Sequence, residues 1–309
     1  MKANSYTPRS AWRIALIAAT LTVGACDAVN EIVNRVDDAD VRYYVSLGTS
    51  LSVGVQPNGS GIPLPTNDGY ADQLFDSIKP AFDIADMTQA RDLKLVKLGC
   101  PGETLDDMVN GGSCPYIAGS QLAAALAFLT DNGDKVHLVT IDIGGNDFRN
   151  ADCIGATSPP LCADVSAQIA NDLVPVLAAL RLAADPNTTI VGMNYYNPYL
   201  SSWLDGGVGE TLAMDSVAAV RELNDFLDAT YTNALMPVAD VAAAFQSDEL
   251  FSTMVPYSQP PPDMVPLSVA NICTFTYQCD PDRGPDIHAN TAGYSLIAVA
   301  FEDALAALP

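Results

Sequence analysis

The chain has 309 residues, 49% of them hydrophobic, enough to bury a full core in one large domain, with no low-complexity tract. Fourteen Lys+Arg stand against 37 Asp+Glu, a formal net charge of −23. Such a surface repels polyanions, which argues against nucleic acid or anionic headgroups as partners, and its acidity reads as solubility, in keeping with a salty habitat.

Lys2, Arg9 and Arg13 precede the apolar run Ile14 to Val23, which is too short to span a bilayer and has the flanks of a secretory signal peptide. The run closes on Val23-Gly24-Ala25-Cys26. This resembles a bacterial lipoprotein box cleaved before Cys26, and an ordinary signal-peptidase cut after Ala25 fits the same small residues. The expected organisation is a signal peptide over 1–25, a polar tether over 26–40 carrying a lipid on Cys26, and one domain over 41–309. The expected location is the cell envelope, with a secreted or periplasmic soluble protein as the alternative; only the anchor would touch a membrane.

The apolar run Tyr43 to Leu47 ends in Gly48-Thr49-Ser50-Leu51 and predicts a buried strand feeding a tight strand-to-helix turn. Ser50 is the candidate nucleophile, against the plainer reading of a helix N-cap. A phosphate loop would need G-x-G-x-x-G or a terminal G-K-[ST], and neither is present. After a Pro/Gly/Asn-rich loop over 57–67, a helix is expected over 69–78, ended by Pro80. Leu93 to Leu98 is a second strand candidate and Ser120 to Leu129 a helix. Val136 to Ile143 is a third strand, running into Gly144-Gly145-Asn146-Asp147.

Asp164 to Ala184 has helical periodicity with Pro175 as a kink. A fourth strand follows at Thr189 to Tyr195, a helix at Asp215 to Tyr231 and a fifth strand at Met236 to Val241. A proline-rich loop over 256–266 leads to the final helix from Asn290, a good N-cap. Strands alternating with helices predict a three-layer αβα fold with a mainly parallel, flavodoxin-like five-stranded sheet.

Of seven cysteines, six remain if Cys26 is the anchor. An exported protein can keep them oxidised. Sequence proximity favours Cys100 with Cys114, Cys153 with Cys162, and Cys273 with Cys279 among the 15 possible pairings. A metal site is the sharper alternative, but there is no C-x-x-C pair and the chain holds two histidines. No metal or cofactor is implied.

Ser50, Gly102, Asn146 and His288 each fall just beyond a strand or in the loop before the last helix, where open α/β folds place their sites. The four blocks are Gly48-Thr49-Ser50-Leu51, Cys100-Pro101-Gly102-Glu103-Thr104, Gly144-Gly145-Asn146-Asp147 and Asp286-Ile287-His288-Ala289-Asn290. In this order the set resembles the SGNH/GDSL family of serine esterases and lipases, over most of the mature chain. The resemblance implies carboxylic ester hydrolysis through an acyl-Ser50 intermediate. It also implies an oxyanion hole made by the Ser50 N–H, the Gly102 N–H and the Asn146 side-chain amide.

The chemistry asks for these residue types. A serine hydroxyl is a poor nucleophile until a base takes its proton, and an imidazole suits that role. His137, the other histidine, starts the third strand, about six residues or roughly 20 Å from the strand's carboxyl end, and reads as structural. Oxyanion donors are each worth about 3–4 kcal/mol, and a glycine lets the backbone approach substrate.

Two positions depart from the family pattern. Thr49 stands where the family usually has aspartate. The usual acid, three residues before the histidine, is replaced by Pro285, with Asp286 two before. Either Asp286 or a backbone carbonyl would then orient His288. Tyr199 and Trp203 of 197–204 and the 256–266 loop are candidate pocket walls, with packing as the plainer role for the two aromatics. The disulfide pairs would hold the site loops rigid, or simply stabilise an exported protein. The expected substrate is a small-molecule or lipid ester. An acyltransferase on the same residues and a non-catalytic surface binding module are the alternatives, and oligomeric state is not legible.

Overall fold

The computed structural model describes residues 41–84, 92–154, 160–249, 251–258 and 263–308. The signal peptide, Cys26 and the tether expected over 1–40 lie outside the described residues. In chain order the main elements are β1 (Val41–Gly48), α1 (Tyr70–Ile84), β2 (Asp92–Lys97), α2 (Leu105–Asn110), α3 (Gln121–Asn132), β3 (Val136–Asp142), α4 (Gly145–Asn150), α5 (Pro160–Ala183), β4 (Thr189–Met193), α6 (Val208–Asn233), β5 (Val238–Ala239), α7 (Leu267–Phe275) and α8 (Thr291–Ala306).

The five strands form one sheet in the order β2-β1-β3-β4-β5, and every pair in it is parallel. Parallel strands need crossovers, and the helices supply them, so both faces of the sheet are covered. Helices α3, α5 and α6 pack in succession, while α1 packs against α8. β1 and β3 are the central strands and the most buried; Tyr44, Val45 and Leu47 of β1 and Val139 and Ile141 of β3 are at most 1% exposed. The strand order reverses between β1 and β3, the switch point at which such sheets open a crevice beyond their carboxyl ends.

Local chemistry explains most boundaries. Ser120 caps α3 by accepting the Ala123 N–H, and Asn290 caps α8 by accepting the Gly293 N–H. α1 does not stop at Pro80 as its sequence suggests but runs on to Ile84. Pro80 is exposed, so water can satisfy the carbonyl whose helical bond it removes, and the turn survives. α5 likewise contains Pro175. α2, capped by Thr104 with a reciprocal Asp107 contact, is only six residues long and its pattern is too short to register as periodic.

Disulfides join Cys100 to Cys114, Cys153 to Cys162 and Cys273 to Cys279. The first closes a loop that contains α2, tying the segment after β2 to the one that follows the helix. Replacing Cys100 and Cys114 together by serine is expected to cost about 2–4 kcal/mol, a fall in Tm of roughly 5–15 °C in calorimetry. A melting point within about 2 °C of the parent would show that the bridge constrains little.

Candidate active site

β1 ends at Gly48, and the turn after it carries Ser50 to the edge of the switch-point crevice. Gly48 adopts φ +124°. A Cβ there would collide with the backbone oxygen and the carboxylate of Asp142, its partner in the β1–β3 register, so the position accepts only glycine. Gln121, the first residue of α3, clamps the same peptide: its Oε1 accepts the Gly48 N–H at 2.5 Å and its Nε2 donates to the Gly48 carbonyl at 2.9 Å. Ser50 is 8% exposed, and no described residue accepts its backbone N–H.

β3 ends at Asp142, and Gly144, at φ +105°, turns the chain into α4. Asn146 therefore sits in the first turn of a helix rather than in an open loop. Its Nδ2 donates to the Glu103 carbonyl at 2.9 Å, and the Asp147 carboxylate accepts the Leu105 N–H at 3.1 Å. These two bonds tie the second sequence block to the third. Gly102, next to Glu103, is exposed at φ +82°. A Cβ on Gly102 would meet no protein atom within 4 Å, so within the protein itself it is the positive φ that favours glycine here. Gly102 is not among the residues that line the cleft beside Ser50.

His288 lies on the short strand Asp286–Ala289, paired antiparallel with Thr276–Tyr277, and the Cys273–Cys279 bridge spans that partner segment. Tyr196 also holds the strand, donating from its hydroxyl to the Ile287 carbonyl at 2.6 Å. Asp286 Oδ1 is 2.6 Å from His288 Nδ1 and also accepts the His288 backbone N–H at 2.9 Å. Of the two candidates for orienting the ring, the carboxylate is thus the one in contact. Two-residue spacing suffices because both side chains leave one face of an extended strand. Burial pushes the Asp286 carboxyl up, but the hydrogen bond and charge of His288, its backbone N–H and the charge of Arg149 together bring it below the ordinary carboxylate value.

Ser50, Asn146 and His288 line a single cleft of about 70 Å³ with Leu51, Phe148, Tyr195, Tyr196, Val220 and Leu223. Most of this wall is apolar, as an acyl group requires, and Arg149 supplies a cation at the same cleft. No hydrogen bond joins the Ser50 hydroxyl to His288; pairs of this kind commonly tighten only around substrate. Of the expected pocket walls, Tyr199 lines the cleft. Trp203 instead stacks on Phe251 at 4.9 Å between centroids. Described residues of the 256–266 loop do not reach the cleft. His137, at the far end of β3, meets Phe82 edge-on at 5.4 Å.

Sequence reasoning missed the residues that connect the blocks. Burial, then the charge of Asp107, pushes the Glu103 carboxyl up to about 7 against the opposing bond from Gln121, and its Oε1 accepts Gln121 Nε2 at 3.1 Å. Burial likewise pushes Asp142 up to about 7, although bonds from Thr49 and Tyr70 oppose it. Neither residue carries a motif. A lone acidic residue closing a largely apolar strand was the available signal for Asp142.

The GDSL-like lipase/acylhydrolase family model matches residues 44–301. The fold is similar to that of the lipase Lip_vut3 from a goat rumen metagenome, with TM-score 0.54, 16% identity and coverage of 85% of this chain and 97% of that one. It is also similar to the extracellular lipase of Streptomyces rimosus, with TM-score 0.52, 20% identity and coverage of 85% and 99%. No curated protein sequence is a significant match. With the family match spanning most of the described domain, the chain belongs to the GDSL-like lipase/acylhydrolase family and is a carboxylic ester hydrolase.

Proposed function

We propose that the chain is an exported serine esterase whose nucleophile is Ser50, with His288 as general base and Asp286 orienting it. The observation that carries this reading is the Asp286–His288 contact facing the same switch-point cleft as Ser50. His288 takes the Ser50 proton through Nε2 while Oγ bonds to the substrate carbonyl carbon. The oxyanion that forms is met by the Ser50 N–H, which has no acceptor of its own among the described residues, and by the Asn146 amide; the Gly102 N–H is the third donor that the family resemblance implies. His288 then returns the proton to the departing alkoxide, and water, deprotonated in the same way, releases the acid and restores Ser50.

Support for export comes from the apolar run after Arg13 and from the three disulfides, which persist in oxidising compartments. Cys26, at the end of that run, is the proposed lipid anchor. Hydrolysis of p-nitrophenyl esters from acetate to palmitate tests the reaction and reads the chain length that the cleft accepts. An inert protein whose Ser50 is not labelled by a fluorophosphonate would overturn it.

Asn146 offers an independent check of the oxyanion site. Asn146→Ala is expected to lower kcat by about 10²–10³-fold, with KM nearly unchanged, because the lost donor acts on charge that develops only in the transition state. A loss confined to KM would mean that Asn146 binds ground-state substrate instead.

A further inference from the structure

We propose that Asp142 is a positioning residue for the nucleophile, delivering from β3 a carboxylate that holds the Thr49–Ser50 turn in its reactive geometry. The proposal rests on Ser50 being the nucleophile. Asp142 is fully buried, and its carboxylate accepts from the Thr49 hydroxyl at 2.6 Å, the Thr49 backbone N–H at 3.3 Å and the Tyr70 hydroxyl at 3.3 Å. Thr49 in turn accepts the Leu51 N–H on its Oγ1 at 3.3 Å and the Ser52 hydroxyl on its carbonyl at 2.7 Å. Every polar atom of Thr49 is therefore engaged. The N–H groups on both sides of Ser50 are fixed, and the N–H of Ser50 itself is left for the oxyanion.

The electrostatic setting separates this arrangement from ordinary packing. The Asp142 charge helps to push up six phenols: Tyr44 on β1, Tyr70 on α1, Tyr195 and Tyr196 after β4, Tyr231 on α6 and Tyr294 on α8. Among the described residues no ion pair reaches Asp142. A buried carboxylate without a cation is costly, and here its return is three hydrogen bonds, two of them from the residue before the nucleophile. An ionised carboxylate only accepts, which suits three donors. A protonated one brings a further hydrogen into the same space.

The stability sign is opposite to that of a useful ion pair. With its folded value raised to about 7, Asp142 binds its proton more tightly in the folded than in the unfolded chain. Its contribution to stability is thus lost as pH rises from about 4 through about 7. Relieving that charge should make the fold no less stable at pH 8. A residue kept only for structure would lose activity and stability together; a positioning residue of this kind separates them.

The test compares Asp142→Asn, Asp142→Thr, and Thr49→Asp together with Asp142→Thr at pH 8, by p-nitrophenyl acetate kinetics, fluorophosphonate labelling rate and melting temperature. Asp142→Asn is expected to reduce kcat and labelling about 10–100-fold, at unchanged KM, with no fall in Tm. The double replacement, which moves the carboxylate across to the turn, is expected to regain at least about tenfold over Asp142→Thr. Labelling of Asp142→Asn within twofold of the parent, or a double replacement no faster than Asp142→Thr, overturns the proposal while leaving the nucleophile assignment intact. A parent protein that is neither labelled nor active overturns the nucleophile assignment, and this proposal with it.

Discussion

Replacing Ser50 by alanine is expected to lower kcat on p-nitrophenyl esters by about 10⁴-fold or more, while the melting temperature stays within a few degrees of the parent. On the proposed mechanism the size follows from the loss of covalent catalysis. Without Oγ there is no acyl-enzyme, and the remaining rate is what the oxyanion donors and the cleft give to attack by water. The fold should hold, because the turn depends on Gly48, Thr49, Gln121 and Asp142, and no described residue bonds to the Ser50 hydroxyl. Esterase activity within tenfold of the parent would transfer the chemistry to another residue.

Asp286→Asn is expected to cost about 10³–10⁴-fold in kcat, measured beside the same esters. An asparagine oxygen could still accept the His288 backbone N–H, so the strand keeps its shape. Its amide group, however, can present a donor to Nδ1. The ring then carries its proton on Nε2 and cannot accept from Ser50. The effect should persist across the pH range in which the parent is active, because it is a tautomer defect, whereas loss of a backbone contact alone would show as a fall in Tm. The position of the parent carboxyl points the same way. Below the ordinary carboxylate value, it contributes to stability above the unfolded value and loses that contribution only as pH falls through the lower folded one. An Asp286→Asn enzyme with near-parental kcat would leave a backbone carbonyl as the group that orients His288.

The strands and long helices were legible because their signals are local. β1 and β3 are predominantly apolar, as strands buried on both faces are, and Ser120 and Asn290 announce α3 and α8 through side-chain caps that need only three residues. The extent of α1 was not legible, since Pro80 is tolerated by virtue of its exposure, which is set by packing. β5 is only two residues long and takes its identity from pairing with β4. The four blocks were visible in chain order, and so was packing as the plainer role of Trp203, but not Tyr199, Arg149 and Val220 as cleft residues, because each depends on what crosses the crevice.

The residue types of the chemistry, their order along the chain and the parallel sheet that carries them were determined by the sequence itself. Each rests on a glycine turn, an apolar run or a rare residue, and one of only two histidines lies beside a loop. Only the tertiary structure decided which acid meets His288, which carbonyl holds Asn146, and that Asp142 rather than a neighbour of Ser50 supplies a carboxylate to the Thr49–Ser50 turn. Those contacts join residues 2, 43 and 93 positions apart. The first turns on strand pairing and the other two on the register of β1 beside β3 and the docking of α2, none of which a linear pattern contains.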